Sequence, residues 1–289
     1  MDVGQAGQHV ADAPYFEVPR VLWYYLPAWM HGEHPHPGAI PLPRLSFELF
    51  GRTWEFQITK FMVLELVVAG LMVAIFVPLA RRLRSGEPPQ GRLANLFETI
   101  LVFVRDEMAR PAIGHGSDRY LPYLWTAFFF VLFCNLIGLV PWAGSPTGSL
   151  SVTAALAAMT FTVVLGSGVA KFGAWRFLRS LVPHMEVPLV LAVFLKPMIL
   201  VLEVIGLGIR HTVLAIRLLA NMFAGHLVLA VILLFIAATA NSIVWYGVMP
   251  VSVLGAAALN LLELLVAFLQ AYIFTFLSAL FIGMVIHPH

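Results

Sequence analysis

Polar residues recur at helical spacing inside one apolar stretch of the chain: Glu203, Arg210, Arg217 and Asn221. At 100° per residue, Arg210 lies about −20° and Arg217 about −40° from Glu203, and Asn221 shares its direction. The side chains therefore form one polar stripe on a helix. Ionisable groups at membrane depth each cost about 2.5–3.5 kcal/mol and commonly mark ion pathways. Structural ion pairs between helices are the alternative, which stays open above all for Arg210.

A second apolar stretch carries Glu263 and Gln270 seven residues apart, hence on one helix face. If the chain turns back near Ser242, Gln270 comes level with Arg217, and Glu263 comes within reach of His226. A His–Glu pair in a site of low dielectric constant can titrate near neutral pH, as a proton entry path requires. His226 lies nine residues after Arg217, on the opposite helix side, so the path uses the other face or the helix is distorted.

Composition determines the class of protein that carries these residues. The 289-residue chain is 60% hydrophobic and only 11% charged, whereas soluble domains are about 25% charged. A soluble enzyme, a nucleic-acid-binding protein and a disordered chain are excluded, because so much apolar surface cannot be hidden from water. Long apolar runs indicate a polytopic α-helical membrane protein and not a β-barrel. The single cysteine, Cys134, excludes a disulfide framework.

Residues 1–60 are predicted to form a segment on the non-cytoplasmic side, before a single membrane domain at 61–289. Within the segment, the Trp- and Tyr-rich stretch 15–30 predicts an interfacial location, with a disordered tail as the alternative. The first twenty residues lack a basic region followed by an apolar one, so no cleavable signal peptide is expected. The histidine-rich stretch HGEHPHP at 31–37 is interpreted as a flexible loop rather than a metal site.

The fold class is predicted to be an all-α membrane protein with about five membrane helices. Three ordinary spans are expected at 61–80, 120–141 and 149–170. Between the first two, residues 93–108 place apolar side chains on one helical face and charged ones on the other, which predicts a cytoplasmic amphipathic helix on the membrane surface.

The last two apolar runs, 188–240 and 251–286, are too long for ordinary spans. Continuous helices of these lengths would extend roughly 80 and 54 Å, against a hydrocarbon core about 30 Å thick. Usual tilts of about 20° cannot absorb the excess. We therefore predict a hairpin of two long, steeply tilted helices joined by the loop 241–250.

Basic residues are distributed unevenly between the predicted connections. Seven arginines lie in 81–119 and three basic residues in 171–183, whereas the turns at 142–148 and 241–250 carry none. The positive-inside rule then predicts a cytoplasmic C-terminus and an N-terminus outside. His211 and His184 are expected near the membrane interfaces and are given no role.

Two segments resemble the a subunit of F-type ATP synthases: LAIRLLANMFAGH at 214–226 and FLQAYIFTFL at 268–277. That family carries an essential arginine in an RLxxNMxAG context and a Gln-Ala-aromatic segment on the following helix. Weaker agreement covers 129–141, with its NLxGLxP pattern, and the surface helix near 93–113. The resemblance extends over roughly residues 50–287.

The resemblance implies a role for each central polar residue. Arg217 matches the essential stator arginine, Asn221 its polar neighbour and Gln270 the glutamine opposite it. Glu203, which precedes the arginine by fourteen residues, matches the acid on the inner side.

The outer pair is reversed relative to some bacterial members, where an acid follows NMxAG and a histidine precedes the glutamine by seven residues. In this chain His226 follows NMFAG and Glu263 precedes Gln270. The reversal keeps one acid and one imidazole between the two helices, which supports their coupling.

By this resemblance the chain is the proton-translocating stator subunit of a rotary ATP synthase in the bacterial inner membrane. It would be non-catalytic, without a cofactor or metal, and would provide two aqueous half-channels to carboxylates on a ring of c subunits. The implied partners are the c-ring, the b-subunit peripheral stalk, other ATP synthase subunits and the lipid bilayer, and no nucleic acid. The alternatives are a secondary transporter in which a buried arginine binds an anionic substrate, and a membrane scaffold that transports nothing.

Overall fold

The computed structural model describes residues 13–17, 39–49, 52–84, 91–140, 143–173, 175–177 and 189–287. The interfacial stretch predicted at 15–30 falls mostly outside these residues, and HGEHPHP and His184 fall wholly outside them. In the described part of the chain the α-helices are Lys60–Arg84 (α1), Arg92–Phe103 (α2), Arg110–Ile113 (α3), Leu121–Gly138 (α4), Leu150–Phe172 (α5), Leu189–Thr239 (α6) and Trp245–Ile286 (α7).

Five of these helices, α1 and α4 to α7, are long and apolar enough to cross a membrane by length and composition. Backbone groups in hydrocarbon must be hydrogen-bonded internally, which a helix achieves within a single segment. The prediction of an all-α membrane protein with about five membrane helices is confirmed. The division at residue 60 stays a prediction, although α1 begins at Lys60.

The long hairpin contains a 51-residue α6 and a 42-residue α7. Their lengths correspond to about 77 and 63 Å. The turn between them is shorter than the loop predicted at 241–250, because α7 already begins at Trp245. A proline marked the predicted boundary, yet Pro250 is the sixth residue of α7, and the helix continues through it although the proline ring supplies no backbone donor. The Ser242 amide donates to the Thr239 carbonyl at 2.9 Å and closes the turn.

The predicted amphipathic helix is present but is not uniform. After α2, residues Val104–Ala109 form a π-helical segment before α3. The indole of Trp125 on α4 donates to the Leu101 carbonyl at 2.9 Å. The rings of Phe97 and Phe129 pack edge to face at 5.9 Å. This helix therefore packs against α4 and does not rely on the membrane surface alone.

Strand pairs precede α1 and were not predicted. Tyr15–Glu17 (β1) pairs with Ala39–Pro41 (β2), and Arg44–Leu49 (β3) pairs with Arg52–Gln57 (β4), both antiparallel. The second pair has a signal in the sequence, because apolar residues alternate with polar ones on either side of Gly51.

The chain divides into two compact units. The first contains the described residues of 1–76, 130–149 and 219–269, and the second those of 77–129, 150–218 and 270–289. Each unit therefore includes one part of α6 and one part of α7. Within the second unit, Lys171 at the end of α5 donates to the Ile286 carbonyl at the end of α7 at 2.9 Å.

Candidate functional site

In the second unit, α6 buries one stripe of residues at helical spacing: Leu207, His211, Leu214, Ala215 and Leu218. Arg217 is half-buried, about a quarter turn from the centre of that stripe. The outer face beyond it is exposed and apolar, with Ile216 51% accessible. Arg217 therefore lies at the border between the packed face and the open face of α6.

No ion pair or hydrogen bond joins Arg217 to any residue in the described part of the chain. Arginine keeps its charge in proteins, so the guanidinium cannot relieve its burial by losing a proton. A permanent positive charge within a long apolar helix is thus left without a counter-charge from the described residues.

Glu203 and Arg210 form an ion pair at 3.9 Å, from a carboxylate oxygen to Nη1. Both residues belong to α6, so this pair does not join two helices as the structural alternative required. Their side chains are 39% and 43% exposed. A pair this long and this open contributes little stability, and the Glu203 carboxylate stays accessible.

Gln270 is buried on α7 in the same unit as Arg217, with 3% of its surface accessible. No hydrogen bond joins Gln270 to Arg217 within the residues that the structure describes. The amide can both donate and accept, so it is a polar group placed among buried apolar neighbours of α7.

The first unit contains the other three predicted residues. Asn221 and His226 are half-buried on α6, and Glu263 on α7 is 8% exposed. Gly225 brings the two helices together, because a Cβ at this position would lie 3.0 Å from Cδ of Glu263. The carboxylate therefore lies beside the residue that precedes His226, although no ion pair within 4.0 Å joins His226 to Glu263 in the described part of the chain.

A buried polar network in the first unit escaped the sequence analysis. Thr147 donates to Oδ1 of Asn135 at 2.6 Å, and its hydroxyl oxygen is 2.7 Å from that of Ser145. Nδ2 of Asn135 donates to the Ala267 carbonyl of α7 at 3.5 Å. The network ties the end of α4 and the following turn to α7 between Glu263 and Gln270. The NLxGLxP pattern and the polar turn were the only signals for it.

His211, which was expected near a membrane interface and given no role, is buried within the protein, with 3% of its surface accessible. Its Nδ1 is 2.8 Å from the Leu207 carbonyl, and its Nε2 is buried without a hydrogen-bond partner in the described structure. The ring lies between Phe161 of α5 and Phe281 of α7, at centroid distances of 5.2 and 5.0 Å. The sequence, in which Arg210 and Thr212 flank His211, gave no sign of this arrangement.

The described residues contain no group of three or more His, Cys, Asp or Glu side chains that could hold a metal ion. The histidine-rich stretch at 31–37 lies outside that search.

A family model described as the ATP synthase A chain matches residues 62–283, which include every polar site residue named above. The chain belongs to the ATP synthase subunit a family. Subunit a of Chloroherpeton thalassium is 39% identical over 254 residues, which cover 86% of this chain and 71% of that protein. The Myxococcus xanthus subunit a is 38% identical over 278 residues, covering 96% and 85%.

Chlorobium phaeobacteroides supplies a further subunit a that is 34% identical over 290 residues, covering 96% of this chain and 80% of that protein. The resemblance predicted from the two short segments is thereby confirmed across most of the chain. As a member of the subunit a family with five apolar helices, the chain is a multi-pass membrane protein.

Proposed function

We propose that this subunit a is the proton-translocating stator of a rotary ATP synthase. Two aqueous half-channels would load and unload carboxylates on a ring of c subunits and so couple proton flow to ATP synthesis. The chain itself would be non-catalytic. The observation that carries the proposal is Arg217, a permanent charge on α6 without an ionic partner among the described residues.

The charge of Arg217 explains how the two half-channels are kept apart. At about 4 Å and an effective dielectric constant of about 20, a unit charge stabilises a ring carboxylate by about 4 kcal/mol. That is roughly a thousandfold change in the proton-dissociation constant of the carboxyl group. A ring carboxyl that passes Arg217 must therefore release its proton, and the guanidinium cannot carry that proton across.

Protons would enter from the outer side past His226 and Glu263, whose helices meet closely at Gly225. A neutral, loaded carboxyl group can rotate through lipid, whereas a charged one is held back by the cost of desolvation. After nearly a full turn it would release its proton towards Glu203, whose carboxylate is 39% exposed. The driving force is about 2.3 kcal/mol per charge per 100 mV.

Specific partners and orientation follow from the same proposal. The c-ring would contact α6 on the side that carries Arg217. The b-subunit peripheral stalk would hold the subunit against rotation. The excess of arginine in 81–119 favours a cytoplasmic location for that segment and for the C-terminus. We place the complex in the bacterial plasma membrane, with the N-terminus outside.

The test is an Arg217→Ala substitution in the assembled ATP synthase. Inverted membrane vesicles should lose ATP-driven acidification, while the amount of assembled complex stays unchanged. Lys196→Ala is a matched control, because Lys196 is an exposed cation on the same helix. Acidification that survives Arg217→Ala would refute the proposal.

A further inference from the structure

His211 combines features that packing alone does not account for. It is the polar member of the buried stripe of α6, and its Nε2 has no partner among the described residues. Burying a ring nitrogen without a hydrogen bond costs free energy that an apolar residue at this position would avoid. Stability therefore does not explain a histidine here.

The imidazole is attached to its own helix. A carbonyl oxygen only accepts, so the 2.8 Å contact with Leu207 requires Nδ1 to donate. That bond spans one turn of α6 and fixes the plane of the ring relative to the helix axis. A phenylalanine at 211 could fill the same space but would lack this bond.

The fixed ring is also held by the neighbouring helices. Phe161 meets it edge to face, with an interplanar angle of 75°, and Phe281 is inclined at 45°. Aromatic contacts have preferred geometries, so both neighbouring rings favour one orientation of the imidazole. A ring that is locked to α6 and wedged between α5 and α7 opposes rotation of α6 about its own axis.

Rotation of α6 matters because of where Arg217 lies. It is six residues after His211, at the border between the buried stripe and the exposed face that includes Ile216. A quarter turn in one direction would bury the guanidinium among apolar side chains, and a quarter turn in the other would swing it onto the open face.

We propose that His211 is a positioning residue that sets the rotational angle of α6 and thereby the direction of Arg217. This inference rests on the proposed function of Arg217 but concerns a residue outside the proton path. If His211 loses its bond to the Leu207 carbonyl, we expect the complex to assemble but Arg217 no longer to separate the two half-channels.

The first experiment compares His211→Phe with Thr212→Val in the assembled complex. His211→Phe keeps an aromatic ring but loses the hydrogen bond to the Leu207 carbonyl. The second removes an equivalent bond to the preceding turn, 2.9 Å from the hydroxyl of Thr212 to the Gly208 carbonyl, from an exposed side chain. His211→Phe should lower ATP-driven acidification roughly tenfold, within the hundredfold range of an ångström-scale displacement, and raise passive proton leak. Thr212→Val should change neither.

A second experiment reads the rotation without proton transport. In a Cys134→Ala background, cysteines are placed singly at Ala215, which is 5% exposed, and at Ile216, which is 51% exposed. In the purified complex in lipid, a hydrophobic photoactivated carbene probe, which reacts from the lipid phase, should label the cysteine at 216 much faster than that at 215. Adding His211→Phe should bring the two rates together.

An unchanged ratio of labelling rates in His211→Phe would overturn the assignment of His211, whatever the pumping result. A changed ratio with normal acidification and normal leak would overturn its link to Arg217. Failure of the proposed function itself is recognised separately, by acidification that survives Arg217→Ala.

Discussion

The two long helices α6 and α7 are both apolar, yet the chain covers them very differently. In the most apolar stretch of each helix, 6% of the residues of α6 are buried by the rest of the chain, against 50% of those of α7. The polar residues follow the same division. Glu203 and Arg217 on α6 are half-exposed, and Glu263 and Gln270 on α7 are buried.

This difference indicates where each helix finds its partners. Lipid can cover the exposed apolar side chains of α6, because hydrocarbon is as apolar as they are. Lipid cannot compensate the charge of Arg217, which requires an anionic or polar partner. Under the proposed function, that partner is the ring carboxylate, so α6 works against another protein while α7 supports it from within the chain.

The largest fall in ATP-driven acidification is expected when the guanidinium of Arg217 on α6 is replaced by a different cation. Arg217→Lys should abolish most ATP-driven acidification, because a desolvated ammonium can lose its proton whereas a guanidinium cannot. A neutral amine would forgo about 4 kcal/mol of interaction with the ring carboxylate, roughly a thousandfold. Lys196→Arg is the matched control at an exposed position of the same helix, and should pump normally.

Acidification at the wild-type rate in Arg217→Lys would show that any positive charge suffices. A positive charge at this position of α6 would then be enough to separate the half-channels, whether or not it is permanent.

A smaller effect is expected at the point where α6 and α7 approach closely. Gly225→Ala should displace the Glu263 carboxylate, because the new Cβ would overlap it. We expect a fall in acidification of roughly tenfold, short of the hundredfold that a displacement of about 1 Å can cause. Gly208→Ala on the same helix meets nothing within 4 Å, lies on the side of α6 opposite Arg217, and is the control. It should leave pumping intact and stabilise α6 by about 0.5–1 kcal/mol. Equal pumping by both variants would show that proton transport does not depend on the close approach of Gly225 to Glu263.

A still smaller effect is expected when the two outer polar groups, His226 on α6 and Glu263 on α7, are exchanged between the helices. The double variant His226→Glu with Glu263→His should retain more acidification than either single change, since it keeps one acid and one imidazole between α6 and α7. A double-mutant cycle measures this coupling directly. Losses that simply add would count against a shared role for the two residues.

The helices themselves could be predicted because apolar runs in a membrane leave few alternatives to helical structure. The spacing of Glu203, Arg210, Arg217 and Asn221 placed them on one face without any coordinates. Boundaries were less accurate, as Pro250 shows, because a proline need not end a membrane helix: Pro78 lies inside α1 and Pro197 inside α6.

Contacts outside the hairpin of α6 and α7 could not be predicted, because the pattern of apolar residues does not specify which other helices meet. Asn135 and Thr147 lie on either side of a turn and are hydrogen-bonded to each other, and the further bond from Asn135 to the Ala267 carbonyl follows only from packing. His211 shows the same limit: its type suggested an interface, and the ring contacts that bury it come from two other helices.

The smallest effect on pumping is expected where a buried network supports α7. Thr147→Val preserves shape but removes the donor to Asn135, leaving a fully buried amide oxygen unsatisfied. Such a loss costs about 1–3 kcal/mol, so the purified complex should melt at a lower temperature.

Thr162→Val is the control, because it removes a 2.8 Å bond from an exposed hydroxyl to the Ala158 carbonyl and should leave the melting temperature nearly unchanged. Acidification per assembled complex should be close to wild type in both variants, because the network holds α7 by a backbone carbonyl and contains none of the proposed proton carriers. If Thr147→Val instead lowered pumping without lowering the melting temperature, the buried surroundings of α7 would share the transport role that we assign to the open face of α6.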